Sequence, residues 1–246
     1  VNERTKLISV VHCSNAIGTI VDVERIIKKG HSVGAKVMID AAQSVIFMPI
    51  DVQKLDCDFL AFSGHKIFGP HGIGVLYGKL DLLNSMPPYQ GGGSMIDQVS
   101  VTGTTFLKSP QRFEAGTPHV SGVIGLAEAI RFVQDIGIEN IHAHEQKLTQ
   151  YAISKLEELG EIEIYGPREN RGSLVSFNVE GIHSADIGPL LDEQGVAVRT
   201  GHHCTQIVMK KLGITGTVRA SFSIYNTTEE IDIFIEALRK AKSLLT

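Results

Sequence analysis

Residues 37–66, VMIDAAQSVIFMPIDVQKLDCDFLAFSGHK, decide the fold that the sequence predicts. The segment contains two strand-like apolar runs, at residues 37–39 and 59–62, and each run is followed by polar side chains. These polar residues are Asp40 and Gln43 after the first run, and Ser63, His65 and Lys66 after the second. Because the carboxyl ends of parallel strands are where loops converge on a ligand, we expect these side chains to line one binding site.

A carboxylate and an amine at neighbouring strand ends suit a nitrogen heterocycle that carries an aldehyde. Pyridoxal 5'-phosphate is such a ligand, since a lysine amine forms a Schiff base with its aldehyde and an acidic side chain pairs with its ring nitrogen. Asp40 and Lys66 are the candidates for these two roles. The residues alone also allow a simpler interpretation, in which Asp40 caps a helix and Lys66 is a solvated charge at a strand end.

The sequence on either side of this segment predicts an α/β sheet. Residues 7–12 and 73–77 have the apolar character of strands, and residues 22–34 have helical spacing between an aspartate start and a glycine stop. This strand–helix–strand order is typical of α/β proteins. Residues 80–117 contain clusters of proline and glycine, and they are expected to form a long irregular segment.

The second half of the chain predicts helices and a smaller α+β domain. Apolar residues at helical spacing predict helices over residues 123–136 and 141–159. Beyond them the predicted strands and helices are, in chain order, strand 174–179, helix 185–194, strand 196–199, strand 218–223 and helix 228–245. We therefore expect a larger domain over residues 1–137 and a small α+β domain over residues 138–246.

The composition excludes several classes of protein. Apolar residues make up 43% of the chain and charged residues 20%, an ordinary mixture for a globular domain. The net charge of −4 provides no attraction to nucleic acid or to an anionic membrane, and no apolar run approaches the roughly 20 residues of a membrane span. Three cysteines are few and odd in number, which is typical of free thiols in a reducing compartment, so a cytoplasmic location is expected.

Four motifs resemble the class V aminotransferase family of fold-type I enzymes, and within it the group II, SufS-type, cysteine desulfurases. The motifs are Asp40-Ala-Ala-Gln43, Ser63-Gly-His-Lys66-Ile-Phe-Gly-Pro70, Arg112-Phe-Glu-Ala-Gly-Thr117 and Arg199-Thr-Gly-His-His-Cys204. The resemblance implies a fold-type I pyridoxal-phosphate-dependent transferase with a partial large-domain sheet and a small C-terminal α+β domain. The family's long N-terminal stretch, with a phosphate-binding turn and a histidine stacked on the cofactor ring, has no counterpart in these 246 residues.

The resemblance also implies how the cofactor is bound. The implied contacts are Lys66 with the aldehyde, Asp40 with the ring nitrogen, Gln43 with the phenolic oxygen, and Ser63 and His65 with the phosphate. Thr117 resembles the residue that reaches the phosphate of the partner subunit's cofactor. A homodimer is therefore implied, with each site built from both chains.

Cys204 is the residue that separates a desulfurase from an aminotransferase. It follows two histidines in a glycine-containing loop, where a thiol is expected to be exposed. A thiolate there attacks the sulfur of a bound cysteine and takes it as a persulfide, leaving alanine. Cys13 and Cys57 are expected to be buried, inert thiols. The adjacent His202 and His203 lack the spaced partner ligands of a structural zinc site, so no metal is expected.

The loop departs from the family in one respect. The family's usual pattern continues Cys-Ala-Gln-Pro, whereas this chain has Cys204-Thr-Gln-Ile207. Because proline stiffens a backbone, its loss is expected to alter the stiffness of the loop or the docking of a partner.

Three further residues are implied to bind the substrate, L-cysteine. Arg219 suits a bidentate grip on the substrate carboxylate, Arg199 is a second candidate, and Asn15 contacts the carboxylate or the cofactor. The resemblance adds a sulfur-acceptor protein of the SufE or SufU type and a role in iron–sulfur cluster assembly. The alternatives are a selenocysteine lyase, another class V aminotransferase, or a non-catalytic fragment that needs a missing N-terminal part.

Overall fold

A computed structural model describes residues 1–245, and these form two compact units. The first unit contains residues 1–11, 22–45 and 49–135. The second unit contains residues 12–21, residues 46–48 and the chain from Ile136 onward. Two short early segments therefore belong to the second unit although they lie far from it in sequence.

The first unit is built on a four-stranded sheet. Its strands are β1 (Leu7–Val11), β2 (Lys36–Asp40), β3 (Phe59–Ser63) and β4 (Gly74–Gly78), in the order β1-β2-β3-β4. The first three strands are parallel, whereas β4 runs antiparallel to β3. The link between β3 and β4 is shorter than the dozen or more residues that a parallel crossover needs, which explains the reversal. The predicted α/β class is confirmed.

Helix α1 (Val23–His31) packs on the β1–β2 side of this sheet. Asp22 caps its start, since the Asp22 side chain accepts a hydrogen bond of 3.0 Å from a backbone amide of the first turn. Gly30 is required near its end, because a Cβ at that position would lie 2.6 Å from Val37 Cγ2. Helix α2 (Val52–Leu55) is a single short turn before β3.

Residues 80–117 are irregular only in part, so the expectation of one long irregular segment was wrong. The segment contains, in chain order, helix α3 (Leu80–Ser85), strands β5 (Ile96–Ser100) and β6 (Gly103–Phe106), and a 3₁₀ turn at Gln111–Phe113. Strands β5 and β6 pair only with each other in the part of the chain that the structure describes. Such a short, isolated hairpin produces little periodicity among glycines and prolines, which is why the sequence pattern did not indicate it. Helix α4 (Val120–Ile136) follows.

The second unit packs helices against an antiparallel sheet. Its elements are, in chain order, α5 (Ile138–Leu159), β7 (Ile162–Tyr165), β8 (Leu174–Val179), α6 (Ser184–Asp192), β9 (Arg199–Gly201), α7 (Gln206–Leu212), β10 (Thr217–Ser221) and α8 (Thr228–Leu245). The strand order is β7-β8-β10-β9, with every pair antiparallel. Buried apolar side chains of α5, α6, α8 and the sheet form its core, and their burial is the main stabilising term.

Two elements of this unit were not predicted, and one was displaced. Strand β7 and helix α7 are short, and nothing in their sequence separates them from loops. The strand expected at residues 196–199 begins at Arg199 instead. Across residues 1–245, no helix is both long enough and apolar enough to cross a membrane.

Candidate active site

Two parallel strand ends of the first unit carry the predicted polar side chains. Asp40 is the last residue of β2 and Ser63 is the last residue of β3. Asp40 lies in register with Ala61 of β3, so both strand ends lie at the same carboxyl edge of the sheet. Asp40 is exposed, and its Oδ1 accepts a hydrogen bond of 2.9 Å from the Ala42 amide, which orients the carboxylate. Residues 42–47 form turns, so the interpretation in which Asp40 caps a helix was wrong.

Lys66 lies in a tight 3₁₀ turn, Gly64–Ile67, which we call the Lys66 turn. Gly64 and Ile67 are buried, whereas the intervening His65 and Lys66 are exposed. The turn packs so closely that a Cβ on Gly64 would lie 2.9 Å from Ile73 Cγ2. Within residues 1–245, Lys66 Nζ has neither a hydrogen-bond partner nor an ion-pair partner. The amine is therefore available to react, because it is exposed to solvent.

A histidine that sequence analysis missed contacts His65. The His65 and His71 rings stack with their centroids 5.3 Å apart and their planes 22° apart. The only signal in the sequence is that His71 directly follows Gly69-Pro70. The stack restricts the orientation of the His65 ring.

Gln43 and Thr117 are also in the first unit. Gln43 is half-buried in the turns after β2, and Thr117 is exposed ahead of α4. Arg112 begins the motif that ends at Thr117, but its side chain contacts backbone. It donates hydrogen bonds to the Leu107 carbonyl at 2.9 Å and to the Asn84 carbonyl at 2.7 Å, so it holds the segment together.

The residue types at this edge fit pyridoxal phosphate. Asp40 offers a carboxylate for a protonated ring nitrogen, Lys66 offers a primary amine for the aldehyde, and Gln43 offers an amide for a ring oxygen. Ser63 and His65 offer a hydroxyl and an imidazole for the phosphate oxygens. An α/β sheet with this set of groups at its carboxyl edge defines the class of pyridoxal-phosphate-dependent enzymes.

The predicted nucleophile lies in the second unit. Cys204 is exposed between β9 and α7, and Arg199 Nη2 donates to its Sγ at 3.7 Å. Cys13 and Cys57 are buried, and burial raises the pKa of the Cys13 thiol to about 11. No group of three or more histidine, cysteine or acidic side chains in residues 1–245 is arranged to bind a metal. Cys204 is thus the exposed one of the three cysteines.

Arg199 and Arg219 face each other across the β9–β10 pair. Like charges directly opposite each other repel, and burial followed by the charge of Arg199 lowers the pKa of Arg219. Arg219 Nε is also buried without a hydrogen-bond partner in the described chain. A carboxylate would relieve the repulsion and accept this hydrogen bond, so the pair fits an anionic substrate group.

Asn15 is in the second unit, beside the Cys204 backbone. Its Nδ2 donates to the His203 carbonyl at 2.8 Å, and its own carbonyl accepts from Arg219 Nη1 at 2.7 Å. His203 is buried, and its Nε2 lies 2.8 Å from Thr217 Oγ1. Burial, followed by the charges of the nearby arginines, lowers the pKa of His203 to about 4, so its ring is neutral at neutral pH. The sequence contained two adjacent histidines and no signal as to which is buried.

Sequence analysis did not identify two further buried polar residues. Glu145 accepts a hydrogen bond from Ser173 Oγ, and burial raises the pKa of Glu145 to about 7. Arg171 is fully buried and donates to the carbonyls of Pro167 at 2.7 Å and Tyr165 at 3.1 Å. Glu145 lies within α5 and Arg171 lies in the loop between β7 and β8. Charged residues in helices and loops are usually exposed, which is why the sequence did not indicate these two.

Comparisons with known proteins agree with the class that the fold and these residues define. The aminotransferase class-V family matches residues 1–234. A cysteine desulfurase of Dickeya dadantii is 47% identical over 245 residues, which are 99% of this chain and 59% of that protein. A cysteine desulfurase of Haloferax volcanii is 48% identical over 245 residues, which are 99% of this chain and 58% of that protein.

Solved structures give the same result. The crystal structure of the cysteine desulfurase CsdA (S-sulfonic acid) from Escherichia coli has a TM-score of 0.96 and 41% identity, covering 100% of this chain and 61% of that one. The apo cysteine desulfurase of Thermococcus onnurineus NA1 has a TM-score of 0.92 and 46% identity, covering 97% of this chain and 60% of that one.

The chain belongs to the class V aminotransferase family, and its homologues there are cysteine desulfurases. These families use pyridoxal phosphate. The chain spans about three-fifths of the length of the curated relatives it matches, 59% and 58% for the two compared above.

Proposed function

We propose that this chain carries the catalytic residues of a pyridoxal-phosphate-dependent cysteine desulfurase, which converts L-cysteine to L-alanine and holds the sulfur as a persulfide on Cys204. One observation carries the proposal: Cys204 is exposed beside Arg199, whereas Cys13 and Cys57 are buried. Identity of 47% to a cysteine desulfurase supports the same reaction. The Arg-Thr-Gly-His-His-Cys run that ends at Cys204 supports the group II, SufS-type subclass.

In this proposal the domain over residues 1–137 binds the cofactor and the domain over residues 138–246 carries the thiol. The cofactor contacts are Lys66 through Nζ, Asp40 at the ring nitrogen, Gln43 at the ring oxygen, and Ser63 and His65 at the phosphate. When bound, pyridoxal phosphate supplies an electron sink for bonds at the substrate Cα. Asp40 supports this role because its carboxylate is already oriented by the Ala42 amide.

Arg219, Arg199 and Asn15 bind the substrate carboxylate in this proposal. The two guanidinium groups face each other across adjacent strands, and Arg219 Nε has no partner in the described residues. A carboxylate that accepts from both arginines removes their repulsion and satisfies the buried donor. Asn15 lies beside Arg219, since its backbone carbonyl accepts a hydrogen bond from Arg219 Nη1.

The sulfur transfer is a displacement at the sulfur of the substrate. The Cys204 thiolate attacks that sulfur, the new S–S bond forms and the Cβ–S bond breaks. The electron pair of the broken bond stays on Cβ, which takes a proton and becomes the methyl group of alanine. The sulfur is oxidised and Cβ is reduced by the same two electrons, so no further oxidant or reductant is consumed. The Arg199 guanidinium, whose Nη2 lies 3.7 Å from Cys204 Sγ, attracts the negative charge of the attacking sulfur.

The proposed partners follow from two exposed residues. Thr117 is exposed and is proposed to reach the cofactor phosphate of the partner subunit in a homodimer. Cys204 is exposed and is proposed to pass its sulfur to an acceptor protein of the SufE or SufU type for iron–sulfur cluster assembly. A cytoplasmic location is proposed because the three cysteines are unpaired.

The test is to incubate the chain with pyridoxal phosphate and L-cysteine and to quantify alanine together with persulfide sulfur. Equal amounts of alanine and persulfide, with the persulfide mapped to Cys204, are expected. Alanine without persulfide on Cys204, or neither product, contradicts the proposal. L-selenocysteine in a parallel reaction distinguishes a desulfurase from a selenocysteine lyase.

A further inference from the structure

The backbone at Cys204 has an unusual conformation. His203 has a φ of 52° and Cys204 a φ of 63°, so two consecutive non-glycine residues are left-handed. Side chains in this region are disfavoured, and such residues persist only where surrounding contacts determine their conformation. The Cys204 loop, residues 202–205, must therefore be held by neighbours.

Hydrogen bonds hold His203 from two sides. Asn15 Nδ2 donates to the His203 carbonyl at 2.8 Å, immediately before Cys204. On the other side, the His203 ring and the Thr217 hydroxyl are 2.8 Å apart, and both residues are buried. Within the loop, Thr205 donates to the His202 carbonyl at 2.8 Å from its amide. The backbone next to Cys204 is thus restrained through the carbonyl and the ring of His203.

Asn15 is itself anchored to the sheet of the second unit. Three consecutive carbonyls of its segment, those of Asn15, Ala16 and Ile17, each accept a hydrogen bond. The three donors are Arg219 on β10 to Asn15 at 2.7 Å, Ser176 on β8 to Ala16, and the buried Arg171 to Ile17 at 3.2 Å. Because its backbone is held in this way, the Asn15 side chain has a defined position from which it hydrogen-bonds the Cys204 loop.

We propose that Asn15 and Thr217 are positioning residues for Cys204: by holding His203 from its carbonyl and from its ring, they keep Cys204 Sγ beside Arg199. The distance from Arg199 Nη2 to Cys204 Sγ is 3.7 Å. This inference rests on the proposed function of Cys204 as the sulfur acceptor, and it adds a second role for Asn15 besides contact with the substrate. Without these hydrogen bonds the two left-handed residues relax and the thiol moves away from the guanidinium.

The test is the alkylation rate of Cys204 by iodoacetamide, measured by peptide mass spectrometry in the full chain without cofactor. Asn15→Leu keeps the approximate size of the side chain and removes its N–H donors without adding a charge. Alkylation takes the thiol to a transition state with negative charge on sulfur, and the Arg199 guanidinium stabilises that charge when it lies beside Sγ. We therefore expect the Cys204 rate to fall about threefold to fivefold, as for the loss of one exposed charge pair. Arg199→Gln should give the same decrease, and adding Asn15→Leu to Arg199→Gln should cause no further decrease.

Ser14→Ala is the matched control, because Ser14 Oγ accepts from the amides of the same segment at 3.3 Å without contacting His203. Its Cys204 rate should be unchanged. Cys13 and Cys57 are buried and serve as internal controls, since a variant that has merely lost its fold alkylates all three cysteines.

If Asn15→Leu exposes the buried cysteines, Thr217→Val decides the question, because it preserves shape and removes the hydroxyl that faces the His203 ring. Slower alkylation of Cys204, with Cys13 still protected from alkylation, supports the proposal. An unchanged Cys204 rate, or decreases that multiply in the Asn15 and Arg199 double variant, overturns it. The assay needs neither cofactor nor L-cysteine, so its outcome is separate from that of the desulfurase test.

Discussion

The Lys66 turn and the Cys204 loop carry the two candidate reactive groups, and they are held in different ways. The Lys66 turn is held by close packing, since Gly64 lies where a Cβ would be 2.9 Å from Ile73 Cγ2. The Cys204 loop is held by hydrogen bonds to His203 from residues that are distant in sequence. The Lys66 turn contains no left-handed residue, although Phe68 directly after it has a φ of 62°, whereas Cys204 itself is left-handed.

This difference corresponds to what each group is proposed to do. A lysine that binds a cofactor from solvent needs an available amine, and packing of the buried glycine beneath it leaves Lys66 unpartnered in residues 1–245. A thiol that receives sulfur needs a defined position, and hydrogen bonds supply one because their strength depends on direction. The two regions therefore respond to different perturbations.

Replacing Lys66 tests the first region and has the largest expected effect. Lys66→Ala should lose all covalently bound cofactor and at least about 10³-fold of the desulfurase activity, because no other group supplies the amine at this strand end. The measurement is borohydride reduction followed by peptide mapping. Lys28→Ala, in the same unit, is the control and should retain the label on Lys66. A label on any other lysine contradicts the assignment.

Replacing Cys204 tests the second region alone. Cys204→Ser should reduce sulfur release by on the order of 10³-fold while the cofactor absorbance is unchanged, because a hydroxyl does not form a persulfide. The measurement compares persulfide formation with the absorbance spectrum of the bound cofactor. Cys57→Ala, which changes a buried thiol, should still release sulfur. Full desulfurase activity in Cys204→Ser would instead favour the aminotransferase alternative.

Acid should weaken the polar contacts around the Cys204 loop. The pKa of His203 is about 4 in the folded chain and 6.5 for a free histidine, so between these values the folded state binds fewer protons than the unfolded state. The stability that neutral His203 contributes is therefore complete above pH 6.5 and lost as the pH falls towards 4, by about 3 kcal/mol at most. His203→Asn, which tolerates a left-handed backbone, should remove this loss. Urea unfolding between pH 4 and 7 measures how the free energy of unfolding changes with pH. The same pH dependence in His203→Asn as in the unmodified chain would falsify the prediction.

Glu145, in the same unit, should make the free energy of unfolding depend on pH with the opposite sign. Its pKa is about 7 in the folded chain and 4.5 when free, so the folded state binds more protons between those values. Its contribution is complete below pH 4.5 and is lost as the pH rises through 7, by about 3 kcal/mol at most. Glu145→Gln should remove this loss and reveal the His203 slope, which Glu145 opposes in the unmodified chain. If the unfolding free energy of Glu145→Gln changes with pH as it does in the unmodified chain, the assignment is wrong.

A single methyl group tests the packing of the Lys66 turn and has the smallest expected effect. Gly64→Ala should lower the free energy of unfolding by about 1–2 kcal/mol, because its Cβ overlaps Ile73. Gly103→Ala is the control, since a Cβ there meets nothing within 4 Å and should change stability by less than about 0.5 kcal/mol. Thermal unfolding measures both, and equal effects would show that the turn is not held by packing.

Much of the fold followed from local patterns. Helical spacing and capping residues indicated α1, α4, α5 and α8, because each is long enough for its periodicity to emerge. Short elements such as the β5–β6 hairpin and α7 were missed, since a few residues carry little periodicity. The antiparallel direction of β4 depends on the length of one connection and on its pairing with β3.

The sequence by itself determined the chemistry of this protein: which residue types follow each strand, and therefore that Asp40 and Lys66 stand at neighbouring strand ends and that Cys204 lies in a loop. Only the tertiary structure decided that Asn15 contacts the backbone of His203, 188 residues away, and that Thr217 faces its ring. The physical reason is the distance along the chain between the residues that interact. Strand ends and loops follow from interactions between residues close in the chain, whereas a hydrogen bond between distant residues exists only after the whole unit has packed.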